Sequence, residues 1–510
     1  MKDRAGEPDV VVVGGGGSGL ACAVSAAEHG GRVLLLEKRP RLGGTTGIAI
    51  GSFTASGTPW QRRAGIDDDP DCHEEDAGKF GPAVHQAKNN HALRHYFLGE
   101  AAATLDWLAG MGLLFHGPSP EPPNRVPRMH NVVPNAKAYV AALHLRLVRL
   151  GGEVACDASV EELLVESGQV VGVAVRMGGV RRLLRARQGV VLAAGDYAGS
   201  PELIARFRGP RFAAVEGINP HASGDGHRLA EQAGGRLVNM EITYGPELRF
   251  VPPREGGFEQ LLPTKGPLLR LLGRLMPLVP RPVVHAMVKR LLVTWQHPED
   301  VLFRDGAILV NREGRRFCDE TASPDREVAV ASQPGKTAYL LLDERLAARY
   351  GAWPHFVSTA PEIAYAYVAD YLRLRPDVAV ERPTLEGLAR ARRLPEAAIV
   401  DTVARYNRSV TCGEPDPFGR SPAGPSVLAG SRWVLLGPVK AYFTTTEGGA
   451  AIDETMRVLG RDGRPIPGLY AVGQNGLGGM VLWGHGLHIA WAMTSGRLVG
   501  RALGDRARNA

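Results

Sequence analysis

The fold is decided by residues 10–30, VVVVGGGGSGLACAVSAAEHG, near the start of the chain. The four valines are β-branched and have no polar side chain, which is typical of a strand buried on both faces of a parallel sheet. The glycines that follow contain a G-x-G-x-x-G pattern and lead into an alanine-rich helix. In this pattern Gly14 permits the tight turn, Gly16 lets a pyrophosphate approach the backbone, and Gly19 lets the helix pack on the strand. The stretch therefore predicts a dinucleotide site at a helix N-terminus.

A second strand is predicted at residues 32–36, and it ends in Glu37. An acidic side chain about twenty residues beyond such glycines is placed to bind the ribose hydroxyl groups of a dinucleotide. A glycine-rich turn can also occur without a ligand. Here strand, glycine loop, helix, second strand and terminal acid occur in the expected order, so we interpret the stretch as a dinucleotide site in an α/β fold.

Length and composition limit the class of protein. The chain has 510 residues, enough for two or three domains, and 44% hydrophobic with 22% charged residues is typical of a globular protein. The net charge is +7, but lysines and arginines are spread along the chain, so no nucleic-acid partner is expected. The five cysteines lie far apart without a C-x-x-C pair, which argues against disulfides, attached haem and a metal site.

Two observations bear on where the protein is located in the cell. Residues 1–8 are charged and lead directly into the first strand, which leaves no room for a signal peptide. No uninterrupted apolar run reaches the roughly 18 residues that a membrane-spanning helix needs. We therefore expect a cytoplasmic protein, with association at a membrane surface left open by residues 260–296.

Residues 260–296 form the most unusual segment of the sequence. They include six basic residues and repeated prolines among apolar residues, and no acidic residue. One interpretation is a lid that packs on the protein. The others are a basic amphipathic patch at a membrane surface and an apolar entrance for a hydrophobic substrate.

After Glu37 the chain continues through Lys38 to Gly43-Gly44-Thr45-Thr46. The run from Val10 to Gly44 resembles the FAD-binding start of the fumarate reductase and succinate dehydrogenase flavoproteins, a superfamily that also contains the 3-ketosteroid Δ1-dehydrogenases. In the succinate dehydrogenase branch a histidine near the two threonine positions holds FAD covalently. No histidine lies there in this sequence, so the resemblance implies non-covalent FAD.

Later segments carry the same resemblance. They are Ala194-Gly195 after a buried strand, Gly224-Asp225-Gly226 with Met240-Glu241, the hairpin-like residues 306–317, and the returning strand 466–474. The resemblance implies a two-dinucleotide, Rossmann-like FAD-binding domain with an inserted α+β cap domain for the substrate. The expected limits are 1–241 and 442–510 for the FAD-binding domain and 242–441 for the cap.

The glycine pattern and the resemblance together assign a set of residues to FAD. The set is Gly14, Gly16, Gly17, Ser18, Gly19, Glu37, Lys38, Gly43, Gly44, Thr45, Thr46, Val160, Ala194, Gly195, Asp225, Gly473, Gln474, Gly486, Leu487, His488 and Ile489. The last four begin the final helix, whose N-terminal dipole favours negative charge at the flavin pyrimidine ring. A plain NAD dehydrogenase does not need this returning strand and final helix, so the sequence favours FAD over NAD.

The substrate clamp of the fumarate reductases is not kept in this sequence. Those enzymes hold a dicarboxylate with two histidines and two arginines, one of which also donates the proton. Matched from flanking motifs, the four positions fall at Pro324, at Thr445, near Tyr244 or Gly245, and near Gly484 or His485. The relay acid is kept as Asp300, and Arg326 lies just past Pro324 as a substitute proton donor. The resemblance therefore argues against a dicarboxylate substrate.

The last helix is nearest to that of the 3-ketosteroid Δ1-dehydrogenases, through Ala492-Met493-Thr494-x-Gly496. Those enzymes polarise a carbonyl group with one tyrosine and a backbone N–H, and remove a proton with another tyrosine. Their tyrosine before this helix is absent here. His485 is the stand-in acid or base, because its usual pKa of about 6.5 suits proton transfer near neutral pH. Tyr244, at the domain junction, is a further catalytic candidate.

Each candidate also has a purely structural interpretation. His485 can cap a helix, Tyr244 can be a packed tyrosine with a satisfied hydroxyl group, and Arg326 can pack within the cap. Glu447 lies beside a glycine pair at the expected level of the ring, but it can also bond only to backbone. Trp483 is expected to form a wall of the pocket.

Three functions are consistent with these residues. The favoured one is an FAD-dependent dehydrogenase that desaturates the C–C bond next to a carbonyl in an apolar, cyclic or steroid-like ketone, with hydride passing to flavin N5. The second is the reverse, a reductase of an activated C=C bond in a non-dicarboxylate substrate. Its electron donor, like the acceptor in the first case, is unknown. The third is a catalytically idle, membrane-associated flavin-binding module.

Overall fold

The computed structural model describes residues 6–253, 289–290, 292–294, 296–360, 364–421 and 426–510. Its strands are β1 Val10–Val13, β2 Val33–Leu36, β3 Ser52–Thr54, β4 Leu114–Ser119, β5 Met129–Val133, β6 Glu153–Ala155, β7 Ala158–Glu166, β8 Gln169–Met177, β9 Val180–Arg185, β10 Gly189–Leu192, β11 Glu216–Gly217, β12 Leu237–Val238, β13 Thr243–Tyr244, β14 Glu247–Phe250, β15 Ile308–Val310, β16 Ala338–Leu342, β17 Ser358–Ala360, β18 Ala364–Ala366, β19 Ala379–Arg382, β20 Trp433–Phe443, β21 Thr445–Thr446, β22 Gly449–Ala450, β23 Arg457–Leu459 and β24 Pro465–Ala471. Its helices are α1 Gly17–Glu28, α2 Pro59–Arg63, α3 Pro70–Ala77, α4 Ala83–Gln86, α5 His91–Gly110, α6 Lys137–Arg149, α7 Pro201–Phe207, α8 Asp225–Gln232, α9 Asp300–Arg304, α10 Asp325–Ala331, α11 Glu344–Arg349, α12 Val368–Leu374, α13 Leu385–Arg392, α14 Glu396–Cys412 and α15 Leu487–Asn509.

Within the described part of the chain, a six-stranded sheet in the order β23-β24-β10-β1-β2-β6 forms the first layer. β1 consists of four valines and lies between β10 and β2, parallel to both. The four valines are buried, as expected for a central strand with an apolar side chain at every position. β24 pairs in parallel with β10, so the C-terminal part of the chain returns to this sheet, as the sequence predicted.

Helices α1 and α15 lie against each other along their backbones, through a series of glycines in α15. A Cβ atom at Gly496 would lie 2.3 Å from the carbonyl oxygen of Ser18, and a Cβ atom at Gly500 would lie 2.3 Å from that of Cys22. The next glycine of the series meets the next turn of α1 in the same way. Because these pairs progress in the same direction along both helices, the helices are parallel. Their N-termini therefore face the same end of the sheet.

The second layer of the molecule is a sheet built around β20. Strands β14, β16 and β19 pair with β20 in the antiparallel sense, β15 pairs with β16, and β11 joins β20 in parallel. This sheet has its own apolar core, distinct from that of the first sheet. β11 comes from residues 216–217, ahead of the expected start of the cap at residue 242. The domain limits themselves stay a prediction.

One local expectation for the cap is wrong. Residues 306–317 do not form a hairpin, because their only strand, β15, pairs with β16 at residues 338–342. The residues after β15 form a tight turn, in which Asn311 accepts and donates backbone hydrogen bonds with Gly314 and Arg315. Strand β15 is buried on both faces, so a distant apolar strand is a better partner than the polar residues that follow it.

Two short antiparallel ladders join the two layers. β13 pairs with β21, with Tyr244 opposite Thr445, and β12 pairs with β22, with Val238 opposite Gly449. β20 runs almost directly into β21, so the longest strand of the cap leads to this junction. Tyr244 is thereby placed beside the start of the C-terminal segment.

The basic segment 260–296 lies mostly outside the described residues, and its membrane or entrance surface stays a prediction. In the described end of the segment, Leu292 and Val293 are buried in the cap core, and Lys289 forms an ion pair with Asp370 at 3.0 Å. This end therefore packs on the cap. Of the helices in the described ranges, none is both long enough and apolar enough to cross a membrane.

Candidate active site

The glycine loop between β1 and α1 leaves an open backbone surface. Gly14 has a φ of +112°, and a Cβ atom there would lie 2.4 Å from the carbonyl oxygen of Ala193. A Cβ atom at Gly16 would meet only the Cα of Gly44, at 4.0 Å, so this side of the loop can be approached. Gly16 is also the N-cap of α1 and offers no side-chain cap to the helix. The loop therefore fits the diphosphate of FAD, which the free N–H groups and the helix dipole would hold.

Glu37 lies beside this loop, at the end of β2. Its Oε2 accepts a hydrogen bond from the backbone N of Gly15 at 2.7 Å, and its Oε1 accepts one from the backbone N of Arg39 at 2.9 Å. A buried carboxylate at this place is compatible with the predicted contact to a ribose hydroxyl group, and that contact stays a prediction. Lys38 forms an ion pair with Asp225 at 2.8 Å, so two further predicted FAD residues are brought together at the start of α8.

The later segments predicted to contact FAD converge on the same cradle. The backbone N of Ala194 donates a hydrogen bond to Asn475 Oδ1 at 2.6 Å. A Cβ atom at Gly473 would lie 2.7 Å from the Oγ of Ser18. The turn after β10 and the turn after β24 therefore both border the first glycine loop.

The threonines after the second glycine pair also belong to this cradle. Thr46 Oγ1 accepts a hydrogen bond from the backbone N of Gly17 at 3.2 Å, and Thr45 Oγ1 accepts one from Asn219 Nδ2 at 2.9 Å. Val160 lies on β7, in the separate sheet β7-β8-β9, and its contact with FAD stays a prediction.

The start of α15 lies beyond the diphosphate end of α1. Gly496 is level with Ser18, and His488 lies eight residues earlier on the same helix (496 − 488). At about 1.5 Å per residue, His488 is therefore about 12 Å beyond Ser18 along the helix pair. Residues 486–489 therefore lie beyond the diphosphate-binding loop, where the sequence predicted the flavin ring, and their contact with the ring stays a prediction.

His485 lies just before α15 and is held by Glu121. Glu121 Oε1 accepts hydrogen bonds from the backbone N of His485 at 2.7 Å and from its Nδ1 at 2.5 Å. The bond to Glu121 raises the pKa of His485 above its ordinary value, and the partly enclosed position of the ring opposes this effect without cancelling it. The side chain is 62% exposed, and charges of Glu247 and Arg249 in the cap act on it. His485 therefore faces the cap across the boundary between the two layers, and this boundary is termed the cleft.

Glu121 is itself held by a chain of polar contacts. Asn124 Nδ2 donates to Glu121 Oε2 at 3.3 Å, and Arg128 Nη1 donates to Asn124 Oδ1 at 2.9 Å. Arg128 is fully buried and forms ion pairs with Asp68 at 2.7 Å and Asp76 at 2.5 Å. The proline-rich loop that carries Glu121 is therefore fixed to α3. The sequence gave no signal for Glu121.

Tyr244 and Trp483 form one wall of the cleft. Their ring centroids are 5.2 Å apart in an edge-to-face arrangement, and the ring of His85 packs on Trp483 in the same way at 5.2 Å. Burial raises the pKa of Tyr244 to about 12, so its hydroxyl group stays protonated at neutral pH and can donate a hydrogen bond.

The cap also supplies His297, which the sequence reasoning missed. Desolvation lowers the pKa of His297, and the charges of Glu247, Arg249, Asp300 and His485 all act on its ring. His297 therefore lies on the cap side of the same cleft as His485. Arg249 donates to Glu247 Oε2 at 2.9 Å and so forms part of this polar face. The signal that could have found His297 is its position three residues before Asp300.

Arg326 and Asp300 are brought together, within the cap. Arg326 Nη2 donates to Asp300 Oδ1 at 2.8 Å, its Nε donates to Glu327 Oε1 at 2.8 Å, and its Nη1 donates to the carbonyl oxygen of Glu320 at 3.0 Å. Burial acts to lower the pKa of Arg326, but the charges of Glu327 and Asp300 outweigh it and raise this pKa. Such a guanidinium holds its proton tightly, so its role as proton donor stays a prediction.

Comparison with known proteins defines the class. The sequence matches the FAD binding domain family over residues 9–269 and 284–484, and the chain belongs to this family. It is 29% identical to a fumarate reductase (cytochrome) of Shewanella frigidimarina, over 96% of this chain and 76% of that protein.

Two solved structures share the fold. The open conformation of a flavocytochrome c3 fumarate reductase superposes with a TM-score of 0.71 at 24% identity, covering 99% of this chain and 79% of the other. The 3-ketosteroid delta1-dehydrogenase of Sterolibacterium denitrificans, in complex with 1,4-androstadiene-3,17-dione, gives a TM-score of 0.63 at 19% identity, covering 98% and 100%. The chain is thus an FAD-dependent oxidoreductase, and the predicted fold class and the predicted cofactor FAD are confirmed.

Proposed function

We propose that this protein reduces a C=C bond that is activated by an adjacent carbonyl group. The observation that carries this proposal is the hydrogen bond between Glu121 and His485, which keeps the imidazole protonated at a pH where an ordinary histidine has lost its proton. A protonated group at the level of the flavin ring suits proton donation to carbon. A relative named for the reduction of fumarate supports the same direction. This direction reverses the one that the sequence favoured, because the sequence did not reveal Glu121.

In this reaction FAD, held by the glycine loop and in its reduced state, would supply the hydride for the carbon β to the carbonyl. His485 Nδ1 is occupied by Glu121, which leaves Nε2 to deliver a proton to the α-carbon. Glu121 orients the neutral imidazole that results, and solvent returns the proton through the open side of the ring. Tyr244 donates a hydrogen bond to the carbonyl oxygen, since its raised pKa keeps the hydroxyl group protonated.

The side chains around the cleft support a substrate with an apolar body rather than a dicarboxylate. Trp483 and Tyr244 offer aromatic surface. Thr445, at a clamp position of the fumarate reductases, donates to Asp196 Oδ2 at 3.3 Å and brings no positive charge. Thr45 and Thr46 offer no nitrogen for a covalent link, so we infer that FAD is bound non-covalently. The reductive direction also needs an electron donor from outside the described residues, either another protein or a free reduced flavin.

Dehydrogenation of a saturated cyclic ketone is the second candidate. The position of Tyr244 next to Trp483 favours it, since a protonated tyrosine can polarise a ketone from the cap side of the cleft. The same residues then act in reverse, with His485 Nε2 accepting a proton from the α-carbon. Likeness in fold to a 3-ketosteroid delta1-dehydrogenase is consistent with this direction.

Anaerobic flavin absorbance distinguishes the candidates. The chemically reduced protein is mixed with cyclic enones, and the oxidised protein with the matching saturated ketones. Return of the yellow colour with enones, without bleaching by ketones, supports the reductase, and the opposite result supports the dehydrogenase. Stable flavin with neither reaction contradicts both and favours the idle module. His485→Gln should slow the reaction about 100-fold or more, whereas His144→Gln, on the exposed face of α6, should not.

A further inference from the structure

A buried carboxylate and a histidine are paired at the first turn of α15. His488 Nε2 and Glu447 Oε1 are 2.8 Å apart. Glu447 is fully buried, and its Oε2 accepts a hydrogen bond from the backbone N of Leu482 at 3.1 Å. The His488 side chain is 25% exposed, so one part of the ring remains accessible while Nε2 is held by the carboxylate.

We propose that the Glu447–His488 pair sets the reduction potential of the bound FAD. Glu447 acts on the flavin ring through the charge of its carboxylate, and His488 acts through the hydrogen bond that compensates this charge. The proposal rests on FAD binding and not on the choice of substrate or on the direction of the reaction.

The position of the pair supports an action on the ring rather than on the diphosphate. His488 lies about 12 Å beyond Ser18 along the parallel helices. The turn after Glu447 packs closely on the segment that follows β24. A Cβ atom at Gly449 would lie 2.8 Å from the backbone N of Leu477. Gln474, a predicted FAD residue in the turn after β24, donates to Thr445 Oγ1 at 2.9 Å, two residues before Glu447. The pair is therefore built into the walls of the cofactor site.

The chemistry of the pair predicts the direction in which each substitution shifts the reduction potential of FAD. Reduction adds negative charge to a flavin near neutral pH, so a nearby cation favours the reduced state and a nearby anion favours the oxidised state. A buried carboxylate is costly unless a partner compensates its charge, and His488 is that partner for Glu447. Loss of His488 leaves an uncompensated anion near the ring. Loss of the Glu447 charge removes an anion instead.

The two single variants are therefore expected to act in opposite directions. His488→Gln should shift the equilibrium between reduced and oxidised protein about tenfold toward the oxidised form, a potential about 30 mV lower for a two-electron couple. Glu447→Gln should shift it by a similar factor toward the reduced form. The double variant, which lacks the carboxylate, should lie with Glu447→Gln rather than with His488→Gln, because His488 acts through its hydrogen bond to that carboxylate.

The measurement is an anaerobic equilibration of the purified FAD-bound proteins with reference dyes of known potential, followed by absorbance and without substrate. A pH of about 8 keeps Asp196, whose pKa is raised to about 6 by burial, ionised in every sample. The matched control is His91→Gln, because His91 Nδ1 lies 2.8 Å from Glu74 Oε1 in a similar pair on the surface. This control should leave the potential unchanged.

Equal potentials in His488→Gln and the native protein, or shifts of the same sign in both single variants, would overturn the proposal. His488 is partly exposed and its replacement leaves the packed core intact, so this variant decides the question even if Glu447→Gln loses FAD. Because no substrate is present, failure of this proposal leaves the proposed reductase untouched. Likewise, if the protein does not react with enones, the measured potentials still test the Glu447–His488 proposal.

Discussion

Glu121 Oε1 accepts two hydrogen bonds from His485, one from its backbone N and one from its Nδ1, although 364 positions separate the two residues in the chain. The double contact fixes both the place of the residue and the orientation of its ring. It also fixes which ring nitrogen remains for a substrate, because Nδ1 is engaged.

We expect Glu121→Gln to move the alkaline limit of activity to lower pH. As a proton donor His485 is active when protonated, so activity is lost as the pH rises through its pKa, which Glu121 raises. Without the carboxylate the loss begins at lower pH, and kcat/KM at about pH 8 should fall about 10-fold or more. The pH profile of kcat/KM checks this, with Glu162→Gln on the exposed β7 as control. If the alkaline limb of this pH profile stays at its native position in Glu121→Gln, His485 is not the proton donor.

Gly500→Ala is expected to destabilise the protein. The added Cβ would lie 2.3 Å from the carbonyl oxygen of Cys22, which can yield only if α15 moves away from α1. Overpacking of this kind costs about 1–3 kcal/mol or more. Urea unfolding of the FAD-bound protein measures it. Gly99→Ala, in an exposed turn of α5 with no neighbour near the added atom, should instead be neutral or stabilise by up to about 1 kcal/mol.

The stability of the protein is expected to depend on pH through Asp196. Burial raises the pKa of Asp196 to about 6, against about 3.9 for an aspartate in an unfolded chain. Between these values the folded protein binds more protons than the unfolded chain, so this contribution to stability falls as the pH rises from about 4 to about 6.

Asp196→Asn removes this contribution. We expect the variant to gain stability relative to the native protein as the pH is raised across that window, by up to about 3 kcal/mol for a shift of about two units. Urea unfolding of both proteins at about pH 4 and about pH 7, which together span this window, gives the difference. A difference that does not change with pH would show that Asp196 titrates as an ordinary aspartate.

Arg128→Leu tests the anchor of the Glu121 loop. The substitution leaves the buried carboxylate of Asp68 without its arginine partner and that of Asp76 with only Lys79 and Arg125, and removal of one member of a buried ion pair costs about 3–5 kcal/mol. Thermal or urea unfolding measures the loss. Arg181→Leu removes an exposed arginine paired with Glu162 and should cost at most about 1 kcal/mol. Similar losses in both variants would mean that the cluster does not fix the loop.

Local patterns made much of the first layer predictable. The buried strands β1 and β10, the glycine loop and the return of β24 each have a pattern that is complete within a few consecutive residues. The glycines of α15 that contact α1 are visible in the sequence, but the backbone that they contact is far away in the chain. No local pattern showed that Gly496 meets Ser18.

The candidate site was less predictable, because its chemistry depends on pairs from distant segments. His485 and Tyr244 were found from their places beside the last helix and at the domain junction. Glu121 lies in a loop with ordinary turn residues, and only the folded chain shows that its carboxylate meets His485. Arg326 was found by its proximity to Pro324, but its ion pairs with Glu327 and Asp300 could not be read from that spacing.

The parallel contact between α1 and α15 also determines when the FAD site can form during synthesis of the chain. Residues 465–510 supply both β24, which covers the free edge of β10, and α15, which covers the face of α1. On the ribosome, where the N-terminal part emerges first, the glycine loop and β1 are made long before either partner. The FAD cradle is therefore completed only after residues 465–510 have been synthesised, and until then an apolar strand edge and a bare helix backbone are open to chaperones or to misassembly.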